Sequence, residues 1–311
     1  MRIVFMGTPE FALPSLKMLV NEGYEVSAVV TQPDKPKGRG NKLTPPPVKE
    51  YALDKGIAVL QPEKVRTKDF AKTLYTINPD LAVVVAYGKI LPPEVLGVPR
   101  LGCINVHGSL LPKYRGAAPM QWAIINGEKT TGVTTIFMDA GMDTGDILLK
   151  REVEIPDDMT AGELHDKLSG IGAETLRDTL RRIEEGTLVR MPQCDGEATY
   201  APMLKKDAGA IDWNKPSQEI HNLVRGTNPW PGAFTFYNGW RLRIWKTRTA
   251  ETSPERVNIF KAGTICSCGR EGIMVAAGRG MVNILEIQFD CGRKMGVEEC
   301  WHNFREGETL G

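Results

Sequence analysis

The sequence predicts an α/β fold, with a doubly wound parallel sheet over residues 1–189 and a small β-barrel over residues 206–311. Three observations predict it. At 311 residues the chain is too long for one ordinary core and suits two. Its first half alternates short apolar runs with segments whose apolar residues recur at helical spacing. Beyond residue 207 the period changes to two, and glycines separate the runs. With 41% apolar and 25% charged residues the composition is that of an ordinary globular protein. A net charge of +1 supplies no general attraction to nucleic acid, so any basic partner surface has to be local.

Residues 2–6 read as a buried strand, followed by the turn Gly7-Thr8-Pro9-Glu10, with Thr8 placed to cap a helix and Pro9 suited to its first position. Phe11, Leu16, Leu19 and Val20 give that helix its apolar face. Residues 26–30, 58–60 and 81–87 are the next strands, and residues 101–106 lead into another that carries Asn105 and His107 at its end. Residues 132–138 and 147–155 extend the sheet to its far edge. Thr160-Ala161-Gly162-Glu163 is a capping box; Leu164, Leu168, Ile171, Leu180 and Ile183 follow at near-helical spacing, and Gly186 stops the helix. His165, beside that stripe, reads as a surface or hydrogen-bonded histidine. Residues 187–207 are mixed in character and read as a linker. In the last third Trp240, Leu242 and Ile244 alternate with Arg241, Arg243 and Trp245, behind the hairpin signal Asn238-Gly239.

The longest apolar runs are far short of the ~18 to 20 residues that cross a bilayer. A strand begins within two residues of Met1, with no signal sequence ahead of it, so the expectation is a cytoplasmic protein without a membrane partner. Cys103, Cys194, Cys266, Cys268, Cys291 and Cys300 lack the spacing of a disulfide framework. A zinc site built from the last four with His302 is disfavoured, because one residue between Cys266 and Cys268 is too few to turn a knuckle. Free thiols and no metal are expected.

The most informative stretch is Asn105-Val106-His107-Gly108-Ser109-Leu110-Leu111-Pro112, with Met142-Asp143-Thr144-Gly145 downstream. Asn105 and His107, two apart on a strand end, project from one face. An amide N–H can hold a developing oxyanion, and an imidazole can take a proton from an attacking ammonium near neutral pH. That combination suits acyl transfer to an amine, with Asp143 orienting or balancing the imidazole. Cys103 shares the strand face, but nothing nearby activates a thiol, so it reads as core. The first turn has one glycine, Gly7, where a dinucleotide fingerprint needs three, which argues against a dehydrogenase.

Asn105-x-His107 with Ser109-Leu110-Leu111-Pro112 and Asp143 resembles the folate-dependent formyltransferases, and the resemblance runs from residues 2–9 through Asn228-Pro229-Trp230-Pro231 into the C-terminal third. It implies a Rossmann-like catalytic domain and an OB-like barrel that binds tRNA. It implies 10-formyltetrahydrofolate as co-substrate, Asn105, His107 and Asp143 as catalytic residues, and transfer without a metal or a covalent enzyme intermediate. Tyr87, Gly88, Ile90 and Leu91, together with Ser109, Leu110, Leu111 and Pro112, are the implied folate-binding residues.

The loop at residues 31–43 places Lys35, Lys37, Arg39 and Lys42 among glycines and prolines directly after a strand. By itself it reads equally as a solvated connector. In family members that formylate methionyl initiator tRNA the matching loop enters the acceptor end, so these four cations are the expected tRNA-binding residues. The acceptor implied is therefore the α-amine of methionine on initiator tRNA, acted on by a monomer. The alternatives are a sugar-nucleotide amine or glycinamide ribotide, which have no need of a basic loop, and a non-catalytic RNA-binding protein, which leaves Asn105, His107 and Asp143 unexplained. Arg241, Arg243, Lys246 and Arg248 near Trp240 and Trp245 suit either RNA contact or solubility.

Overall fold

A computed structural model describes residues 1–37, 42–250, 260–290 and 292–311. By contact density the chain divides into two compact units, one of residues 1–119, 130–154 and 165–202, the other of residues 120–129, 155–164 and 203–311.

The first unit is built on a seven-stranded sheet of β1 (Arg2–Gly7), β2 (Glu25–Val30), β5 (Val59–Leu60), β6 (Leu81–Val85), β7 (Cys103–His107), β9 (Thr130–Phe137) and β10 (Ile147–Glu154), in the order β10-β9-β7-β6-β1-β2-β5. Two short pairs lie outside it: β3 (Lys35–Lys37) against β4 (Lys42–Thr44), and β8 (Arg115–Gly116) against β11 (Tyr200–Ala201). The five strands from β5 to β7 are parallel, as expected, whereas β9 runs antiparallel to both β7 and β10. The sheet is therefore mixed at one edge. The connection from β9 to β10 contains no crossover helix, and a parallel pair would need one.

Alternation along the strands sorts the core into two faces. Val4, Met6, Ala28, Val30, Ala82 and Val84 meet Phe70 and Leu74 of α3 (Lys68–Ile77) and Val95 of α4 (Pro93–Leu96). On the opposite face lies α6 (Ala161–Glu184), where Thr179 Oγ1 meets Thr135 Oγ1 of β9 at 2.8 Å and a Cβ at Gly172 would stand 3.1 Å from Val106 Cγ1 of β7. The expected capping box of α6 is present: Thr160 N donates to Glu163 Oε2 at 2.8 Å, and Glu163 N donates to Thr160 Oγ1 at 3.3 Å.

From β1 the chain winds out through β2 and β5, then returns to place β6 and β7 on the other side of β1. The order reverses between β1 and β6, so a crevice opens beyond their carboxyl ends, the usual ligand position in such sheets. Thr8, at this crevice, does not cap the first helix as expected; the turn begins at Glu10 after Pro9. Its hydroxyl instead accepts from Gln32 N at 3.2 Å and lies 3.5 Å from the Tyr87 carbonyl, tying together the loops after β1, β2 and β6.

The second unit holds an antiparallel, barrel-like sheet of β12 (Ala233–Tyr237), β13 (Trp240–Ala250), β14 (Ile265–Gly269), β15 (Gly272–Ala276), β16 (Met281–Phe289) and β17 (Met295–Gly296). Asn238 and Gly239 take φ of 50° and 79° in the β12–β13 turn, the mirror-image geometry that the Asn-Gly signal predicts. Leu242 and Ile244 point inward as the alternation requires, and bulges near Lys246 shift the inward position to Thr247.

Candidate active site

Asn105 and His107 leave β7 on the face opposite Val106, so the strand's own alternation delivers both to the crevice. Asp143 reaches them from the β9–β10 loop and shares its carboxylate three ways. Asn105 Nδ2 donates to Oδ1 at 3.3 Å, Gly116 N donates to Oδ2 at 2.9 Å, and His107 Nδ1 lies 3.6 Å from Oδ2. His107 is 6% exposed. Its Nε2 is 2.9 Å from the Tyr114 carbonyl oxygen, which can only accept, so Nε2 carries a proton. In the neutral ring Nδ1 then holds the lone pair. Protonating Nδ1 would turn an N–H toward the carboxylate.

The backbone around the trio is held in conformations that L residues rarely adopt. Ala86 at the end of β6, Tyr114 and Asp143 have φ of 47°, 61° and 57°, at a cost of about 1–3 kcal/mol each that the surrounding structure must offset. Gly116, at φ 120°, needs glycine for a second reason: a Cβ there would lie 2.8 Å from the Ala201 carbonyl oxygen.

Much of that holding comes from the segment expected to be a linker. Residues 187–202 return along the first unit: Met191 bridges Ile147, β11 pairs with β8, and Thr199 Oγ1 accepts from Tyr114 N at 2.9 Å. Gln193 Nε2 donates to the carbonyls of Asp143 and Gly145, and Gln193 Oε1 accepts from buried Arg115 at 2.9 and 3.1 Å. Arg115 also pairs with Asp195 at 2.9 Å. The sequence does not reveal Arg115 and Gln193, which meet across seventy-eight residues in a stretch with no periodicity, nor the Tyr114 carbonyl, a backbone group that no side-chain pattern marks.

The implied folate residues divide by position. The Tyr87 ring lies in the core with Val84 and Leu91, and burial pushes its phenol up to about 12; its carbonyl, with that of Gly88, accepts from Gln32 Nε2 at 3.0 and 3.3 Å. Burial of the ring leaves the backbone atoms as the part of Tyr87 that a ligand could meet. Ile90 is exposed and Leu91 buried, and both line a groove of about 850 Å³ that also reaches Ala140 in the loop bearing Asp143. Ser109 is buried, donating to the Lys113 carbonyl at 2.6 Å, while Leu111 packs on Ile136 and Ile147. Leu110 and Pro112 are half-buried. The last four thus shape the turn that follows His107.

Among the expected tRNA-binding cations, Lys35 is exposed on β3, where Lys37 pairs with Lys42 of β4 in a short ribbon instead of the open loop expected. Arg39 lies outside the described residues. Cys103 is buried, and that burial pushes its thiol up to about 12, which fits a core residue and not a nucleophile. Cys266, Cys268 and Cys300 are free thiols raised by burial, and Cys291 lies outside the described residues. No group of three metal-ligating side chains occurs among the described residues. His165 is held by Asp166 at 2.9 Å and packs on Phe11, away from the trio.

Residues 1–180 match the formyl transferase family, and residues 203–305 match the formyl transferase C-terminal domain. The chain is 62% identical over 313 residues to the methionyl-tRNA formyltransferase of Acetivibrio thermocellus, with both chains covered in full. It is 57% identical, again with both fully covered, to that of Ruminiclostridium cellulolyticum. Among solved structures, the sugar 3N-formyl transferase WlaRD superposes with a TM-score of 0.68 at 20% identity, covering 95% of this chain and 98% of that one. An N-formyltransferase from Helicobacter canadensis gives 0.66 at 21% identity, covering 94% and 99%. These last two share the fold. With family matches over both parts of its length and more than half of its residues shared end to end with the two curated relatives, the chain belongs to the formyl transferase family.

Proposed function

We propose that this chain transfers the formyl group of 10-formyltetrahydrofolate to the α-amine of methionine esterified to initiator tRNA, giving N-formylmethionyl-tRNA for translation initiation. The observation that carries the reading is the Asp143 carboxylate shared between an amide donor and an imidazole, in a chain 62% identical end to end to a methionyl-tRNA formyltransferase.

The folate supplies an electrophilic formyl carbon. His107 Nδ1 takes a proton from the attacking amine, and Asp143 balances the imidazolium so formed. Asn105 has two amide N–H groups and uses one on Asp143, which leaves the other to hold the oxyanion as the new C–N bond forms. When the bond from the formyl carbon to the folate nitrogen breaks, His107 returns its proton to that nitrogen. Protons balance over the cycle, and His107 and Asp143 end in their starting states. Backbone groups of Tyr87 and Gly88 and the side chains of Ile90 and Leu91 hold the folate, with Ser109, Leu110, Leu111 and Pro112 shaping the turn beside it.

Lys35, Lys37, Arg39 and Lys42 engage the tRNA phosphates, and residues 206–311 form the OB-like domain that binds the rest of the acceptor arm. A monomer is what the family resemblance implies. It works in the cytoplasm, where charged initiator tRNA is available; no described helix is long and apolar enough to cross a membrane.

The test is an acceptor competition with 10-formyltetrahydrofolate. Methionyl initiator tRNA should be formylated far faster than free methionine, because remote contacts position the ester-linked amine. Equal or faster transfer to a 4-amino-sugar nucleotide would overturn the tRNA assignment and leave formyl transfer standing. No transfer to any amine would overturn both.

A further inference from the structure

The groove that begins at Ile90 and Leu91 continues along α3 beyond anything the trio requires. Its volume, about 850 Å³, is in the range of small-molecule clefts. Its lining changes character along its length. Near the reactive loop it is apolar, with Ile90, Leu91 and Pro92; along α3 it carries Lys68, Lys72 and Tyr75, with Arg66 just ahead of the helix. Tyr75 is 76% exposed, an unusual degree for an aromatic ring on a folded helix.

Lys68, Lys72 and Tyr75 stand at i, i+4 and i+7, which places them on one face of α3. Thr67 caps the helix by accepting from Phe70 N at 3.2 Å, so the start of this face is fixed. Arg66, Lys68 and Lys72 form no ion pair or side-chain hydrogen bond with any described residue, and Glu94 is the one carboxylate among the groove's described lining residues. The rim is therefore a row of unneutralised cations above an apolar floor. Surface lysines gathered this way repel one another unless an anion lies between them.

We infer that this groove is a subsite for the oligo-γ-glutamyl tail of the folate co-substrate, with Lys68 and Lys72 pairing with successive tail carboxylates and Tyr75 covering the methylene stems. The inference rests on the folate reading above and extends it to the form of the donor. Spacing supports it. The α-carboxylates of a γ-linked chain recur every five backbone bonds, about 6 Å when extended, and Lys68 and Lys72, four residues apart on the helix, are separated by a rise of ~6 Å. Charge supports it too, because each added glutamate brings one carboxylate to a rim that has cations in excess. A nucleic-acid backbone is a poorer occupant, since its phosphates would leave the apolar floor at Ile90 and Leu91 unfilled.

The experiment measures KM for 10-formyltetrahydrofolate carrying one, three or five glutamates, at fixed methionyl-tRNA. In the wild type, lengthening the tail from one to five glutamates should lower KM roughly fivefold, the scale of two exposed ion pairs. That ratio should fall to about one in K68A/K72A. It should also shrink in the wild type between about 50 and 500 mM salt, because such pairs are screened; this second readout needs no variant. A wild-type KM independent of tail length, with normal turnover of the monoglutamate, would overturn the subsite alone. A tail-independent folate KM accompanied by a raised KM for tRNA in K68A/K72A would assign the cations to RNA instead. Absence of turnover with every tail length would point to failure of the formyl-transfer reading.

Discussion

Gln193 donates from one side-chain nitrogen to the backbone carbonyl of Asp143 at 2.8 Å, reaching across fifty residues of sequence to fix the loop that carries the Asp143 carboxylate. The same nitrogen reaches the Gly145 carbonyl at 2.7 Å, while Arg115 holds the other end of the amide. Asp143 is at φ 57°, a conformation that relaxes unless something holds it. Gln193→Ala is therefore expected to lower kcat by roughly 10- to 100-fold, since a displacement of about 1 Å at a reacting group has that effect. Folate KM should change little. Steady-state kinetics with a circular-dichroism control measure this, and wild-type kcat would remove the clamp from the account.

The glycine across from that clamp has a steric role. Gly116→Ala forces a side chain into φ 120° and to 2.8 Å from the Ala201 carbonyl oxygen, while disturbing the amide that donates to Asp143. A loss of about 1–3 kcal/mol in stability, with reduced kcat, is the expected outcome. Denaturant midpoints and initial rates read the two effects separately.

Cys103 tests the competing chemistry. Its thiol is buried on β7, lies 3.7 Å from the Leu96 carbonyl, and is pushed up to about 12 by burial, so it stays protonated at working pH. Cys103→Ala should keep kcat within about twofold of wild type while losing roughly 1 kcal/mol of packing. A collapse of turnover in a folded Cys103→Ala protein would reopen a covalent route.

What was legible in the sequence was local. Asn105 and His107 were placed on one face because a strand has a period of two, and the Thr160–Glu163 capping box and the Asn238-Gly239 turn appear as written because each is fixed within four residues. Thr8 departs from the capping role its position suggests because its hydroxyl is claimed by Gln32 N, twenty-four residues away, in competition with the helix it precedes. Residues 187–202 depart from a linker for the same reason on a larger scale. Gln193, Thr199 and Tyr200 carry no pattern along the chain, and only their distant partners Asp143, Tyr114 and Arg115 give them a place.

A pH effect follows from His221 in the second unit. Its Nδ1 meets Thr247 Oγ1 and its Nε2 meets the Asp157 carbonyl, both at 3.0 Å, and burial holds its pKa below the usual 6.5, with nearby Arg225 adding to the effect. Below pH 6.5 the unfolded chain takes up a proton that the folded ring resists. This contribution is thus full above 6.5 and is lost as pH falls toward the folded value, with a slope of at most about 1.4 kcal/mol per pH unit. Urea midpoints between pH 7.5 and 5.5 should fall more steeply for the wild type than for His221→Gln. Parallel slopes would show that His221 does not drive the acid loss.

The most direct measurement is single-turnover formylation of methionyl initiator tRNA by the wild type, Asn105→Ala, His107→Ala, Asp143→Ala and the His107→Ala/Asp143→Ala double variant. Each single substitution is expected to slow transfer by roughly 10²- to 10⁴-fold. In the proposed mechanism Asp143 acts through the charge that His107 acquires, so the double variant should be about as slow as the slower single one, as groups acting as a unit behave. Singles near the wild-type rate, or losses that multiply in the double variant, would contradict the linked roles of His107 and Asp143.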